Sequence, residues 1–284
     1  MLKPRSVILD LLSPRGRVPM PARAIVAACD LFGIDSNRAR VTIARLVAQG
    51  RLERAGRGAY ALTRAAETVN RNVRTWPEIG QLQRPWTGDW MIVHMKHRPS
   101  SRDRESTARA IRFARMIEAA PTVAVRPDNL HVSDFELRET LVGMGLRVPF
   151  FITRGTVDAS ASLEFATKWP VDALRAEYAR LTARLEASLA RLNKIPFKDA
   201  LVETFTLGGE AVRALVLDPL LPDVMMPPYE RNLLLEMMKQ YDRMGRTMWR
   251  RFMAPLASPE TSDFAPIETA AFAAGEPAHL QREE

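Results

Sequence analysis

Apolar positions recur along this chain with two different periods, and the changes of period mark its elements. In "FGIDSNRARVTIARLVAQGRLERAGRGAYALT" (32–63), Ala39, Ile43, Leu46 and Val47 fall at i, i+4, i+7 and i+8, the apolar stripe of a helix. Asp35 precedes the stripe and can cap it by accepting from free backbone N–H groups. Gly50 ends it. Upstream, "ARAIVAACDLFGI" predicts a helix from Pro21 to Phe32, with Gly33 as the turn, and an earlier helix covers Lys3 to Leu12. After Gly50 the period becomes 2: "RLERAGRGAYAL" alternates, with Leu52, Tyr60 and Leu62 inward and a tight "AGRG" turn whose glycines tolerate positive φ. Helix, glycine turn, helix and short hairpin together predict a winged helix-turn-helix.

Beyond residue 85 the pattern is mixed. "WMIVHM" (90–95), "TVAVRP" (122–127) and "RVPFFIT" (147–153) read as strands. "RESTARAIRFARMIEA" (104–119) and "VSDFELRETLVGMG" (132–145) read as helices. This β-α-β-α-β order is one short strand from a ferredoxin-like pattern, and the missing strand is expected near Met116–Ala119. "VDALRAEYARLTARLEASLARL" (171–192) reads as one long helix, with Leu174, Tyr178, Leu181, Leu185 and Leu192 at heptad-like spacing. That stripe can pack inside its own domain or contact a second copy. Two further helices follow, in "FKDALVETFTLGGEAVRALVL" (197–217) and "PYERNLLLEMMKQYDRMGRTMWRRFM" (228–253). The expected class is therefore α+β, in five parts: a winged helix-turn-helix (1–63), a linker (64–85), a ferredoxin-like α/β middle domain (86–165), a mostly helical C-terminal domain (166–254) and a tail (255–284) whose Ala, Pro and Glu content predicts disorder.

Charge sharpens the picture at one end. The net charge is +8, but residues 1–62 hold eleven Lys/Arg against four Asp/Glu, a balance of +7, leaving +1 for all the rest. A positive field confined to one small module points to a polyanionic partner. Six arginines, 38, 40, 45, 51, 54 and 57, fall within residues 32–63. Asn37, Arg38, Val41 and Arg45 lie on the helix face opposite Ile43, with Arg40 on the flank. Guanidinium, amide and small apolar groups are the ones that read base edges and phosphates in a major groove. Arg57 sits between Gly56 and Gly58 at the hairpin tip, within reach of a phosphate or minor groove. The expected DNA-binding set is Ser36, Asn37, Arg38, Arg40, Val41, Arg45, Arg54 and Arg57. Solvation of a basic face, or protein contact by a winged helix, would account for the same arginines without DNA.

Four stretches resemble the phenylacetic-acid catabolon repressors, the PaaX-like transcriptional regulators. They are the 32–63 stretch, "WTGDWMIV" (86–93), "KWPVDALRAEY" (168–178) and "LVLDPLLPDVMMP" (215–227), in the family's order and spacing. The resemblance implies a cytoplasmic homodimeric repressor of a catabolic operon for phenylacetate-like compounds. It further implies a palindromic double-stranded DNA operator and an acyl-CoA effector that releases the protein. Departures fall at "RMIEAAPTVAV" (115–125) and "GGEAVRA" (208–214), where the family tends to carry glycines with a tryptophan and a His-Glu-Tyr-Arg run. These bear on which acyl group is recognised.

Other chemistries find little support. The middle domain resembles a small CRISPR-adaptation nuclease, but Lys96 stands where that enzyme's first strand ends in aspartate, and an ammonium cannot ligate Mg²⁺. His94 and His97 would point to opposite faces of a strand. His131 stands near Asp134 and Glu136 at a helix start, where capping explains it. No G-x-S-x-G, Walker A or dinucleotide glycine pattern occurs, so no enzyme and no cofactor are expected. The single cysteine, Cys29, reads as a small buried apolar residue and fits a reducing cytoplasm. The first 30 residues lack a continuous apolar stretch and no 18-residue apolar run occurs, so neither a secretory signal nor a membrane span is expected. Residues 96–115 carry Lys96, Arg98, Arg102, Arg104, Arg109, Arg112 and Arg115 against Asp103 and Glu105. They read as a solvated helix face, or as ligands for phosphates, either of flanking DNA or of a coenzyme A thioester effector, with Arg102, Arg104 and Arg109 as the effector candidates. An effector-independent activator or architectural protein is the alternative regulator class.

Overall fold

The computed structural model describes residues 2–66 and 74–256. Part of the expected linker, and all of the expected tail beyond residue 256, lie outside the described residues. The chain mixes helices with two antiparallel sheets.

The N-terminal part contains α1 (Pro4–Leu12), β1 (Met20–Pro21), α2 (Ala22–Leu31), α3 (Ser36–Ala48), β2 (Leu52–Arg54) and β3 (Ala59–Leu62). The strands form one sheet in the order β1-β3-β2. Val7, Ile8 and Leu12 of α1, Ile25 and Cys29 of α2, and Ile43 and Leu46 of α3 close a core with Leu52 and Leu62. Each of these large side chains, taken out of water, stabilises the fold by about 1.5–3 kcal/mol. Cys29 is fully buried there, and burial pushes its thiol up to about 11. Strand β1 had no signature in the sequence; it is two residues long and pairs Met20 with Tyr60.

The middle part runs β4 (Trp90–Met95), α4 (Arg104–Phe113), β5 (Ile117–Ala120), β6 (Val123–Pro127), α5 (Asp134–Met144) and β7 (Phe150–Gly155). Its sheet has the order β5-β6-β4-β7, every neighbouring pair antiparallel. The strand missing from the periodicity is β5. Helix α4 stops at Phe113 rather than continuing to 119, because Arg115 adopts φ 59 and turns the chain into β5. Helices α4 and α5 cover one sheet face, with Met91, Val93 and Met95 beneath Ile111, Leu137 and Leu141. Trp90 points to the other face, where its indole donates to Ser162 Oγ at 3.1 Å and meets the Phe165 ring at 5.2 Å. Both partners belong to α6 (Ala159–Thr167), a helix the apolar pattern did not reveal, which crosses the expected domain boundary at 165/166.

Three long helices follow: α7 (Val171–Leu189), α8 (Phe197–Val216) and α9 (Tyr229–Met253). Tyr178, Leu181, Leu185 and Leu192 are buried against them, together with Leu207, Leu215, Leu234 and Tyr241. The leucine stripe is therefore consumed by packing within the chain, and the dimer-contact reading of it is corrected. The C-terminal half of the expected linker joins this core too, through Trp76 and Ile79.

A polar centre binds the sheet to the helices. Arg126 of β6 is buried and donates to Pro127 O and to Asn129 Oδ1, both at 3.0 Å. Asn129 Nδ2 donates on to Leu220 O at 2.8 Å. Arg115, expected on the solvated basic face, is instead buried and donates to Asp218 O. The fully buried Asp218 carboxylate accepts from Leu220 N at 2.5 Å and lies 3.7 Å from the buried Arg231. Burial pushes the Arg126 guanidinium down to about 9 and that of Arg115 to about 10, with Asp218 partly restoring the latter. Asp128 at the edge of this centre takes Arg84 at 2.9 Å and Arg154 at 2.7 Å.

Asp218→Ala strands Arg115 and Arg231 without their carboxylate, so it is expected to cost about 3–5 kcal/mol of stability in urea unfolding; a loss under about 1 kcal/mol would show the centre to be dispensable. Cys29 is expected to resist a thiol reagent at neutral pH in the folded protein and to react fully in urea.

Candidate nucleic-acid interface

The candidate surface is built from α3 and the β2–β3 hairpin. Gly33, at φ 69, turns the chain out of α2 in a left-handed conformation that a side chain would resist. Asp35 then caps α3, its Oδ1 accepting from Arg38 N at 2.9 Å. The cap fixes the start of the helix and lies at its positive end, where a carboxylate is favoured. Ala39, Ile43 and Leu46 face the core, which commits the opposite side to solvent. Ser36, Asn37, Arg38, Arg40, Val41 and Arg45 are all exposed. Val41 is 42% exposed, an uncovered apolar side chain between Arg38 and Arg45.

In the hairpin, Gly56 at φ 86 and Gly58 at φ 72 form the tip, and Ala55 N donates to Ala59 O at 3.0 Å to close it. Arg54 and Arg57 are exposed beside and at that tip. The structure thus brings the whole expected set of eight onto exposed positions of one helix and its neighbouring hairpin. Among the described residues the side chains of Arg40, Arg45, Arg54 and Arg57 have no hydrogen-bond or ion-pair partner, and Arg38 has only a carboxylate 4.0 Å away, that of Asp35.

Two residues that sequence reasoning missed lie alongside. Lys3 and Arg5, at the start of α1, form one wall of a groove of about 580 Å³ whose other wall is Asn37, Arg38, Val41, Thr42 and Arg45. Their place was invisible to periodicity because it depends on how α1 packs against α3, more than thirty residues away.

The arginines weighed as effector ligands are not gathered in this way. Arg102 and Arg104 are exposed at the start of α4, whereas Arg109 donates to Met144 O at 3.2 Å and so ties α4 to the end of α5. His94 Nε2 lies 3.0 Å from Thr153 Oγ1 and its ring stacks on Phe151 at 4.6 Å; His97 Nδ1 lies 3.1 Å from Arg98 O. Among the described residues no group of three or more His, Cys, Asp or Glu is arranged to hold a metal, and no helix is long and apolar enough to cross a membrane.

The turn before α3 is also anchored from behind. Phe32, next to Gly33, packs on Phe205 of α8 at 4.9 Å; Phe205 meets Trp249 of α9 at 5.8 Å, and Trp249 meets Phe252 at 5.7 Å. Met253 is buried in the same core as α1 and α2, and Arg23 Nε donates to Leu256 O at 2.9 Å.

Residues 28–63 match a family described as transcriptional regulator, AbiEi antitoxin. That stretch runs from the end of α2 through α3 to the hairpin; the rest of the chain lies outside the match. No curated protein matches. Among solved structures, the uncharacterized protein Rv0674 from Mycobacterium tuberculosis is similar over 87% of this chain and 99% of its own, with a TM-score of 0.53 and 22% identity. At that identity the likeness is one of fold.

Asp35→Ala removes the cap of α3 and is expected to lower stability by about 1 kcal/mol. Urea unfolding followed by circular dichroism measures it, and an unchanged midpoint would show that the Asp35–Arg38 bond does not hold the helix start.

Proposed function

We propose that this chain is a DNA-binding transcriptional regulator whose residues 1–63 form a winged helix-turn-helix, with α3 as recognition helix and the β2–β3 hairpin as wing. One observation carries the reading: α3 and its hairpin gather exposed arginines that, Arg38 apart, have no carboxylate partner among the described residues. In the helical part Arg175, Arg180, Arg184, Arg191 and Arg246 each hold a carboxylate, while Arg213, Arg243, Arg250 and Arg251 are in no ion pair among the described residues. A positive face left uncompensated in this way suits a polyanion, and α3 has a breadth that a B-DNA major groove admits. The similarity of residues 28–63 to transcriptional-regulator segments supports the same reading.

In this reading, Asn37, Arg38 and Arg45 meet base edges or phosphates, while Arg40, Arg54 and Arg57 meet the backbone and set register. Ser36 and Val41 complete the contact face, Val41 suited to a thymine methyl. The strand order β5-β6-β4-β7 with two helices on one face supports a ferredoxin-like middle domain. The helical C-terminal domain begins near residue 166 and grips the recognition turn through the Phe32–Phe205–Trp249 contacts. The resemblance to PaaX-like regulators adds repression of a catabolic operon, a palindromic operator bound by a homodimer, and release by an acyl-CoA effector. The missing catalytic motifs and the single buried cysteine favour a non-enzymatic protein of the cytoplasm. An effector acts here only through its differential affinity for two arrangements of the DNA-binding modules.

Fluorescence anisotropy tests this on the DNA upstream of the chain's own gene beside a scrambled duplex, with and without aryl- and alkyl-CoA thioesters. Selective binding is expected, and one thioester should abolish it. Equal weak binding to both duplexes would overturn the regulator reading, and selective binding unmoved by any thioester would remove the effector. Arg38→Ala is expected to cost about 1–3 kcal/mol on the specific site and less on random DNA. Arg57→Ala should weaken binding to all sequences and reduce the salt slope by about 0.9; an unchanged slope would remove the wing from the interface.

A further inference from the structure

We propose that the groove between the start of α1 and the outer face of α3 seats a phosphodiester strand of duplex DNA, with Lys3 and Arg5 gripping it opposite Arg38 and Arg45. The inference rests on the DNA-binding reading and extends the contact surface to residues far from it in sequence.

The charged side chains lining the groove are Lys3, Arg5, Arg38 and Arg45, all cations. Lys3, Arg5 and Arg45 have no ion-pair partner among the described residues, and the Asp35 carboxylate, 4.0 Å from Arg38, already caps α3. Another groove of similar size, about 600 Å³, shows what the molecule does elsewhere. There Leu31 faces Arg184, Arg191, Asp199 and Glu203, two charges of each sign. Arg191 holds Glu203 at 2.7 Å, and Arg184 holds Glu210. One groove is neutralised by the chain itself; the other is left positive.

The form of that charge selects the ligand. Lys3 and Arg5 are exposed, so each cation is screened and holds a single small anion only weakly. A polyanion differs, because every neutralised phosphate releases condensed counterions and the contributions accumulate. The groove also lies directly beside the exposed face of α3. A helix lying in a major groove is flanked by the sugar-phosphate strand at that groove's edge, which brings the strand against the wall that Lys3 and Arg5 form. Duplex RNA fits less well, since the A-form major groove is too deep and narrow to admit α3.

The test uses the full chain, the upstream duplex and an unrelated duplex, with anisotropy measured across a series of salt concentrations. Lys3→Ala/Arg5→Ala is expected to lower the slope of log affinity against log salt by roughly 1.8, about 0.9 for each cation, on both duplexes. The ratio between the two duplexes should stay unchanged. Lys3→Arg/Arg5→Lys should keep the wild-type slope, and a thermal melt matching wild type separates lost contact from lost folding. An unchanged slope in the alanine variant, with Arg38→Ala still weakening binding, overturns the groove and leaves the regulator reading standing. No binding by the wild-type chain overturns both. Duplex RNA competing as well as duplex DNA overturns the choice of DNA.

Discussion

The arrangement of this molecule depends on a charged centre that folding has taken out of water. Arg115 comes from the turn between α4 and β5, Arg126 from β6, Arg231 from α9, and Asp218 from the loop after α8. Burying three guanidinium groups is expensive, and the depressed Arg126 and Arg115 register that cost. It is sustained because the loop supplies acceptors from its own backbone. Leu220 O accepts from Asn129 and Gln83, and Asp218 O accepts from Arg115. To present them, Leu220 adopts φ 52, an uncommon conformation for a branched side chain, held by the Asp218 carboxylate on its N–H and by full burial of its own side chain. Sheet and helical region are thereby locked in one register, since sliding either would leave buried charges without partners.

From that frame the connection runs forward to the N-terminal module. Phe205 of α8 and Trp249 of α9 pack in tilted contacts toward Phe32. Met253 of α9 is buried in the module's own core. The turn that aims α3 is thus held from behind by the elements that also carry the buried charges. A ligand that changed the packing of α8 against α9 would act on the aim of α3 through these aromatic contacts. Gly208 of α8 faces Met238 and Tyr241 of α9 across this seam, where an added Cβ would stand 3.4 Å from Met238 Cε, in ordinary van der Waals contact.

Much of this was legible in the chain, and what was hidden shares a cause. The α3 stripe, the Asp35 cap, the Gly33 turn and the Gly56–Gly58 hairpin are local devices, decided by neighbours within a few residues. The strands at 90–95, 123–127 and 150–155 were legible for the same reason. Strand β5, "IEAA", is short and only half-buried, so its pattern barely rises above noise. Helix α6 has no fully buried residue and therefore no stripe to find. The 174–192 stripe could be seen, but periodicity tells that a face is covered and not by what; α8 and α9 turned out to be the cover. Arg115 shows the sharpest failure. It stands among solvated arginines in sequence, and a single positive φ turns it inward to Asp218.

The two sets of cations in this chain illustrate one electrostatic rule from opposite sides. In the interior, an unpartnered guanidinium would cost several kcal/mol, so Arg115, Arg126 and Arg231 are fenced by carbonyls and carboxylates. At the α1–α3 groove the surrounding water keeps that penalty small, and Lys3, Arg5 and Arg45 are left without carboxylates. Pairing them internally would add less than about 1 kcal/mol each to stability while removing the field that draws a polyanion. The open surface therefore carries little folding penalty for its unpaired charge, whereas the closed centre carries a real one, since Arg231 Nη1 and Asp218 Oδ2 are buried without a hydrogen-bond partner among the described residues.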